Sequence, residues 1–167
     1  EQFLNYDNKF LQTFILLFKK PEDVIGCYVS GTRKKYVNVI SYFAISITIA
    51  GLQLYILNKY FPEVLNLSSI TAQGQEEFAK KNLAFMQEYQ SIMMILYVPI
   101  YALISKIVFF NIKKYNYTEH LVIFMYISAQ ISILSALLIV FAAFFGLSIG
   151  TVSIIVLPLQ IFYTAYC

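Results

Sequence analysis

Four stretches of this chain stay apolar for far longer than a strand or an ordinary core helix needs: 37–57, 91–110, 121–145 and 151–167. A helix that crosses a bilayer core of about 30 Å takes roughly 17 to 25 residues. Each stretch therefore predicts one membrane-spanning helix, and the third is long enough to tilt. Lys106 is the only charged residue inside any of them. The fold class that follows is all-α, an integral membrane bundle of four transmembrane helices. It divides into cytoplasmic interfacial helices at 1–36 and a four-helix transmembrane domain at 37–167, with an extracytoplasmic helical loop at 58–90.

The flanking segments have shorter periods. Over residues 10–18, Phe10, Leu11, Phe14, Ile15 and Phe18 recur at helical spacing with Gln12 and Thr13 opposite. That segment is too short to span, so it predicts an amphipathic helix lying in the membrane interface. Lys19 and Lys20 end it beside the headgroups, and Pro21, Glu22 and Asp23 suit the first turn of a second short helix, which Gly31 closes. Between the first two spans, Glu76 with Lys80 and Glu77 with Lys81 are i,i+4 pairs of the orientation that supports an exposed helix. Span two thus begins outside the bilayer, with Phe78, Leu83, Phe85 and Met86 available to a neighbour or a partner, and 65–75 is a loop.

Composition agrees with this picture and narrows function. The chain is 59% hydrophobic and 13% charged, against about 45–50% apolar and about 25% charged in soluble chains. A net charge of +3 with no basic run longer than three residues gives no footprint for nucleic acid. Its lysines and arginine instead mark orientation: Lys19, Lys20, Arg33, Lys34 and Lys35 precede span one, and Lys113 and Lys114 join spans two and three. Basic flanks stay on the cytoplasmic side, which places both termini there. Beginning on Glu and ending on a Cys within an apolar run, the 167 residues are expected to be part of something longer, and no cleavable signal peptide is visible.

Candidate chemistry is sparse. Cys27 and Cys167 have no metal-ligand spacing, no hydrolase or phosphate-binding motif occurs, and no aspartate follows Asp23, so neither metal nor cofactor is expected. What remains is Glu119 and the single histidine, His120, at the mouth of span three. Thr118 is read as the helix cap, with Glu119 in the first turn against the positive helix end. The alternative makes Glu119 and His120 a proton-handling or headgroup-binding site. Lys106 is expected to snorkel to the nearby interface, or alternatively to neutralise Glu119 or a lipid phosphate. Pro99 and Pro158 kink spans two and four. Ser128, Gln130, Ser132 and Ser135 serve helix contacts, and Gln53, Gln130 and Gln160 could meet across the bundle.

Two elements give the chain a resemblance. A proline followed by G-x-R-x-x-Y before span one is matched by Pro21, Gly31, Arg33 and Tyr36, and N-Y-x-E-H-L before span three by Asn116, Tyr117, Glu119, His120 and Leu121. With these the sequence resembles an uncharacterised family of small polytopic membrane proteins found mainly in Bacteroidota, a domain of unknown function often preceded by a zinc ribbon. The ribbon's cysteines do not occur here, so the resemblance implies no metal within these residues, and it supplies no activity.

The expectation is a non-catalytic accessory or scaffolding subunit of a bacterial inner membrane, not an enzyme, in contact with membrane lipids and with a membrane-protein partner or further copies of itself. The competing expectation is a carrier or modulator of lipid or a small solute, using the cytoplasmic mouth around Lys106, Glu119 and His120.

Overall fold

A computed structural model describes the chain apart from Glu1, Arg33, 66–74 and 110–114, and apart from the side chains of 2–8 and Glu76. The expected loop at 65–75, the Glu76–Lys80 pair, Arg33 and the Lys113–Lys114 flank therefore lie wholly or partly outside the described residues. Those described form seven α-helices and one short 3-10 turn, without strands: α1 (Gln2–Lys19), α2 (Pro21–Val29), α3 (Val39–Tyr60), the turn Pro62–Leu65, α4 (Glu76–Glu88), α5 (Gln90–Val108), α6 (Tyr117–Phe144) and α7 (Ile149–Tyr166). Four of these, α3, α5, α6 and α7, are long and apolar enough to cross a membrane.

Local chemistry explains the breaks. Lys20 is extended, at φ −151° and ψ 69°, because the ring of Pro21 disfavours a helical residue before it. Pro21 then opens α2 with Glu22 and Asp23 in its first turn. At the other end Gly31 sits at φ +96°. Its N–H donates to the carbonyl of Tyr28 at 3.1 Å, and that of Thr32 to Cys27 at 2.8 Å. This pair of bonds is the Schellman ending, which needs a left-handed residue that only glycine adopts without strain. Gly146, at φ +68°, ends α6 in the same way, with Leu147 N–H donating to the Ala142 carbonyl at 3.1 Å.

Two boundaries differ from the sequence reading. Helix α1 starts near residue 2 rather than 10, and α6 starts at Tyr117 rather than 121. Helices α4 and α5 are separated by Tyr89 alone, and the N–H of Met93 still donates to the carbonyl of Tyr89 at 2.9 Å. The Glu77–Lys81 pair forms at 2.9 Å, with both side chains exposed.

The chain packs as two units. The first takes residues 1–46 and 95–130 with Cys167, and the second takes 47–94 and 131–166. In the first, Leu17, Val24, Tyr42, Ala102, Tyr126 and Ala129 are fully enclosed. In the second, Leu57, Val64 and Ala143 form a small core sealed by Phe61, Leu65 and Ile139, with Phe61 edge-on to Phe144. Helices α3 and α6 are the most enclosed spans, whereas α5 and α7 keep most of their apolar surface outward.

Helix α1 departs from the expected amphipathic pattern at Thr13. Expected on the polar side, Thr13 is completely buried together with Leu17, while Leu11 and Ile15 of the expected apolar stripe are 57% and 46% exposed and stay on the outer surface. At 100° per residue, Phe10, Thr13, Phe14 and Leu17 form one face, and Leu11, Ile15 and Phe18 the next. The first face is turned inward because Thr13 has partners there: its Oγ1 donates to the Lys9 carbonyl at 2.7 Å and accepts from the Val37 N–H at 3.1 Å.

Candidate functional site

The start of α6 gathers the residues that the sequence singled out. Asn116 immediately precedes the helix, and its carbonyl accepts from the N–H groups of Glu119 and His120 at 3.0 and 3.1 Å. Its own N–H donates to Glu119 Oε2 at 2.6 Å. This is the carboxylate half of a capping box, in which the third helical residue reaches back to the cap. The cap is thus Asn116 and not Thr118. The helix begins earlier because Glu119, placed three residues on, can satisfy a backbone donor that would otherwise be unpaired.

His120 turns the other way. It is buried at 7% exposure, with Nδ1 3.1 Å from Ser105 Oγ on α5 and the Tyr115 ring edge-on at 6.1 Å. Tyr117 reaches the same helix, its hydroxyl donating to the Pro99 carbonyl at 3.3 Å, and Tyr101 stacks on Phe124. Every polar group of the Asn116–His120 element named here therefore starts α6 or fastens it to α5. Lys106 lies exposed and makes no ion pair with Glu119.

A serine hydroxyl at bonding distance from an imidazole invites a catalytic reading. Activation would need an acceptor orienting the other ring nitrogen and donors for a developing oxyanion. Glu119, the neighbouring carboxylate, is engaged at Asn116. Among the described residues no three of His, Cys, Asp and Glu are grouped to hold a metal ion.

The first element is also accounted for, apart from Arg33, which is outside the described residues. Pro21 is fully buried at the start of α2, Gly31 supplies the left-handed ending, and Tyr36 is buried with Lys35 Nζ 5.0 Å from the centre of its ring.

A second polar cluster was not anticipated from sequence. Tyr42 on α3 donates to Gln130 Oε1 on α6, and Gln130 Nε2 donates to the Phe14 carbonyl of α1 at 3.1 Å. Tyr126, one turn earlier on α6, donates to the Val37 carbonyl at 2.7 Å, while Val37 N–H bonds Thr13. Phe10 packs against Tyr42, and Tyr28 edge-on against Tyr126. Gln130 thus spends both ends of its amide on Tyr42 and Phe14 rather than on Gln53 and Gln160, and Gln160 is exposed. Ser135 bonds its own helix, at the Ser132 carbonyl. Sequence carried one signal for this cluster, an amide in the middle of an apolar span, since such groups must find a partner in lipid.

These contacts also set a register. Tyr126 and Gln130 meet the entry of α3 at Val37 and Tyr42, so nine residues of α6 precede that level, about 13 Å of helix. α5 flanks this forward part through Ser105 and Tyr101, and α2 meets its end through Tyr28.

The described residues are all-helical, with four helices of membrane-crossing length and apolarity among them, consistent with a multi-pass membrane protein. A family model described as a protein of unknown function, DUF3667, matches residues 7–51. That stretch contains most of α1, all of α2, the Gly31–Tyr36 element and the first half of α3, and it ends before the Asn116–His120 element. No curated protein and no solved structure matches the chain.

The division of labour at Asn116–His120 predicts unequal mutants. Glu119→Gln keeps an oxygen that can accept from Asn116 and should lower stability in detergent by less than about 1 kcal/mol. His120→Ala removes a buried ring and its bond to Ser105, and should cost on the order of 2–3 kcal/mol. Thermal unfolding of both variants in one detergent checks this. Equal losses would mean that the carboxylate does more than cap.

Proposed function

We propose that this chain is a non-catalytic accessory or scaffolding subunit that binds another membrane protein, in a bacterial inner membrane with both termini cytoplasmic. Membership of the Bacteroidota family that its two elements resemble is part of the same proposal. The observation that carries the reading is α4. Phe78, Phe85 and Met86 on this helix, with Tyr89 just past its end, fall on one side, all exposed, although Glu77, Lys80, Lys81 and Glu88 make it too polar for the bilayer interior. An apolar row on a charged helix outside lipid fits a protein surface better than water. The polar residues suited to chemistry support the same reading, because capping and helix contacts already employ them.

The specific observation behind a second reading, a lipid or solute carrier, is the Ser105–His120 pair beside the cytoplasmic turn. One experiment tests the first reading and its orientation together. In a background with Cys27 and Cys167 replaced by Ser, Phe85→Cys should react with a membrane-impermeant thiol reagent from outside the cell, and Lys34→Cys should not. Phe85→Glu should release a stoichiometric partner that the parent chain retains through gentle solubilisation, without changing thermal stability. Reversed labelling would invert the orientation, and retention of tightly bound lipid without any protein would favour the carrier.

A further inference from the structure

Leu11 and Ile15 leave an apolar face of α1 exposed, and the charges around it say what it meets. Leu11 and Ile15 are exposed, and Phe18 is half-exposed beside them, while the adjacent face is locked through Thr13, Leu17 and the Phe14 carbonyl. Exposed lysines stand at both ends of the apolar row. Lys9 lies at one end, where its Nζ donates to the Lys34 carbonyl at 3.3 Å and so brings the Lys34–Lys35 loop alongside. Lys19 and Lys20 lie at the other, ten residues on, about 15 Å along the helix. A helix standing across the membrane would carry one of these ends into hydrocarbon. Lying flat, it keeps both at headgroup level with the row between them in the acyl boundary.

Among the described side chains from residue 9 to 38, five lysines face two acids, Glu22 and Asp23, both exposed on the first turn of α2, a balance of 5 − 2 = +3. We infer that the outer face of α1, with Lys9, Lys19, Lys20, Lys34 and Lys35, is a binding surface for anionic phospholipid headgroups, so that acidic lipid is enriched beside α1 over its share of the bilayer. The inference is independent of the protein partner proposed above, which concerns α4.

The chain contains no tryptophan, so Ile15→Trp installs a single fluorescent reporter in the row and Leu52→Trp, exposed on α3 and outside the lysine-bearing segment 9–38, a control. Both are reconstituted as full chains in nanodiscs mixing phosphatidylcholine with a minority of phosphatidylglycerol, brominated on one lipid or the other. At position 15, brominated phosphatidylglycerol should quench at least roughly two-fold more than its mole share allows, since each lysine near an acidic surface attracts it measurably. At position 52 quenching should follow mole share. The excess should fall in high salt and disappear when Lys19, Lys20, Lys34 and Lys35 become Gln, with helical content unchanged. Quenching in proportion to mole share at position 15, or an excess that survives the four substitutions, overturns the inference. Absence of quenching by either lipid overturns it too, and would show that the row faces water or protein.

Discussion

Gln130→Ala is expected to destabilise the protein by about 3 kcal/mol. Two interhelical bonds, to Tyr42 and to the Phe14 carbonyl, are lost, each worth about 0.6 kcal/mol in a membrane protein. Truncating a side chain that is completely enclosed adds a cavity term on the order of 2 kcal/mol. Gln130→Leu keeps the volume but leaves the Tyr42 hydroxyl without its acceptor, so it should cost about 1–2 kcal/mol. Tyr42→Phe should cost a similar amount, because it strands the amide oxygen. Combined, Gln130→Leu and Tyr42→Phe should cost clearly less than their sum, by more than about 0.5 kcal/mol. The measurement is a double-mutant cycle of unfolding midpoints in one detergent, and strict additivity would show that the two side chains do not interact.

The second large effect separates the two faces of α1. Leu17→Ala opens a hole in a fully enclosed site and should cost about 2–5 kcal/mol. Leu11→Ala and Ile15→Ala, less than two turns away on the outward face, should stay within about 0.5 kcal/mol of the parent. Limited trypsin digestion gives an independent reading, since Lys19 ends α1 and is exposed. Cleavage there should accelerate in Leu17→Ala alone. Comparable losses from Leu17→Ala and Ile15→Ala would mean that α1 has no preferred inner face.

Both effects arise from contacts that residue order does not display, whereas other features of the fold are written plainly in it. The four long helices are legible from apolar length because a chain inside lipid must satisfy its own backbone bonds, a requirement met locally along each helix. Both ends of α2 are legible too, since Pro21 at its start and Gly31 past its end act through their own backbone angles. Helix starts are less clear. α6 begins four residues before its apolar run because Asn116 and Glu119 make a polar first turn worth forming, and polar residues at a span mouth carry no hydropathy signal. The first half of α1 escapes for the same reason.

Which side of a membrane helix meets protein is not legible. Lipid tails are as apolar as leucine, so an enclosed Leu17 and an outward Leu11 look alike in sequence, and only the rare polar residue breaks the tie. Thr13 breaks it by turning inward, where the Lys9 carbonyl and the Val37 N–H are its partners. Sequence by itself determined the class of this protein, its spans and the chemistry of its turns, all consequences of interactions between near neighbours. The tertiary structure alone decided that Gln130 meets Tyr42 and that Tyr126 meets Val37. Those partners lie 88 and 89 residues apart, and a buried hydrogen bond depends on where packing brings two groups in space.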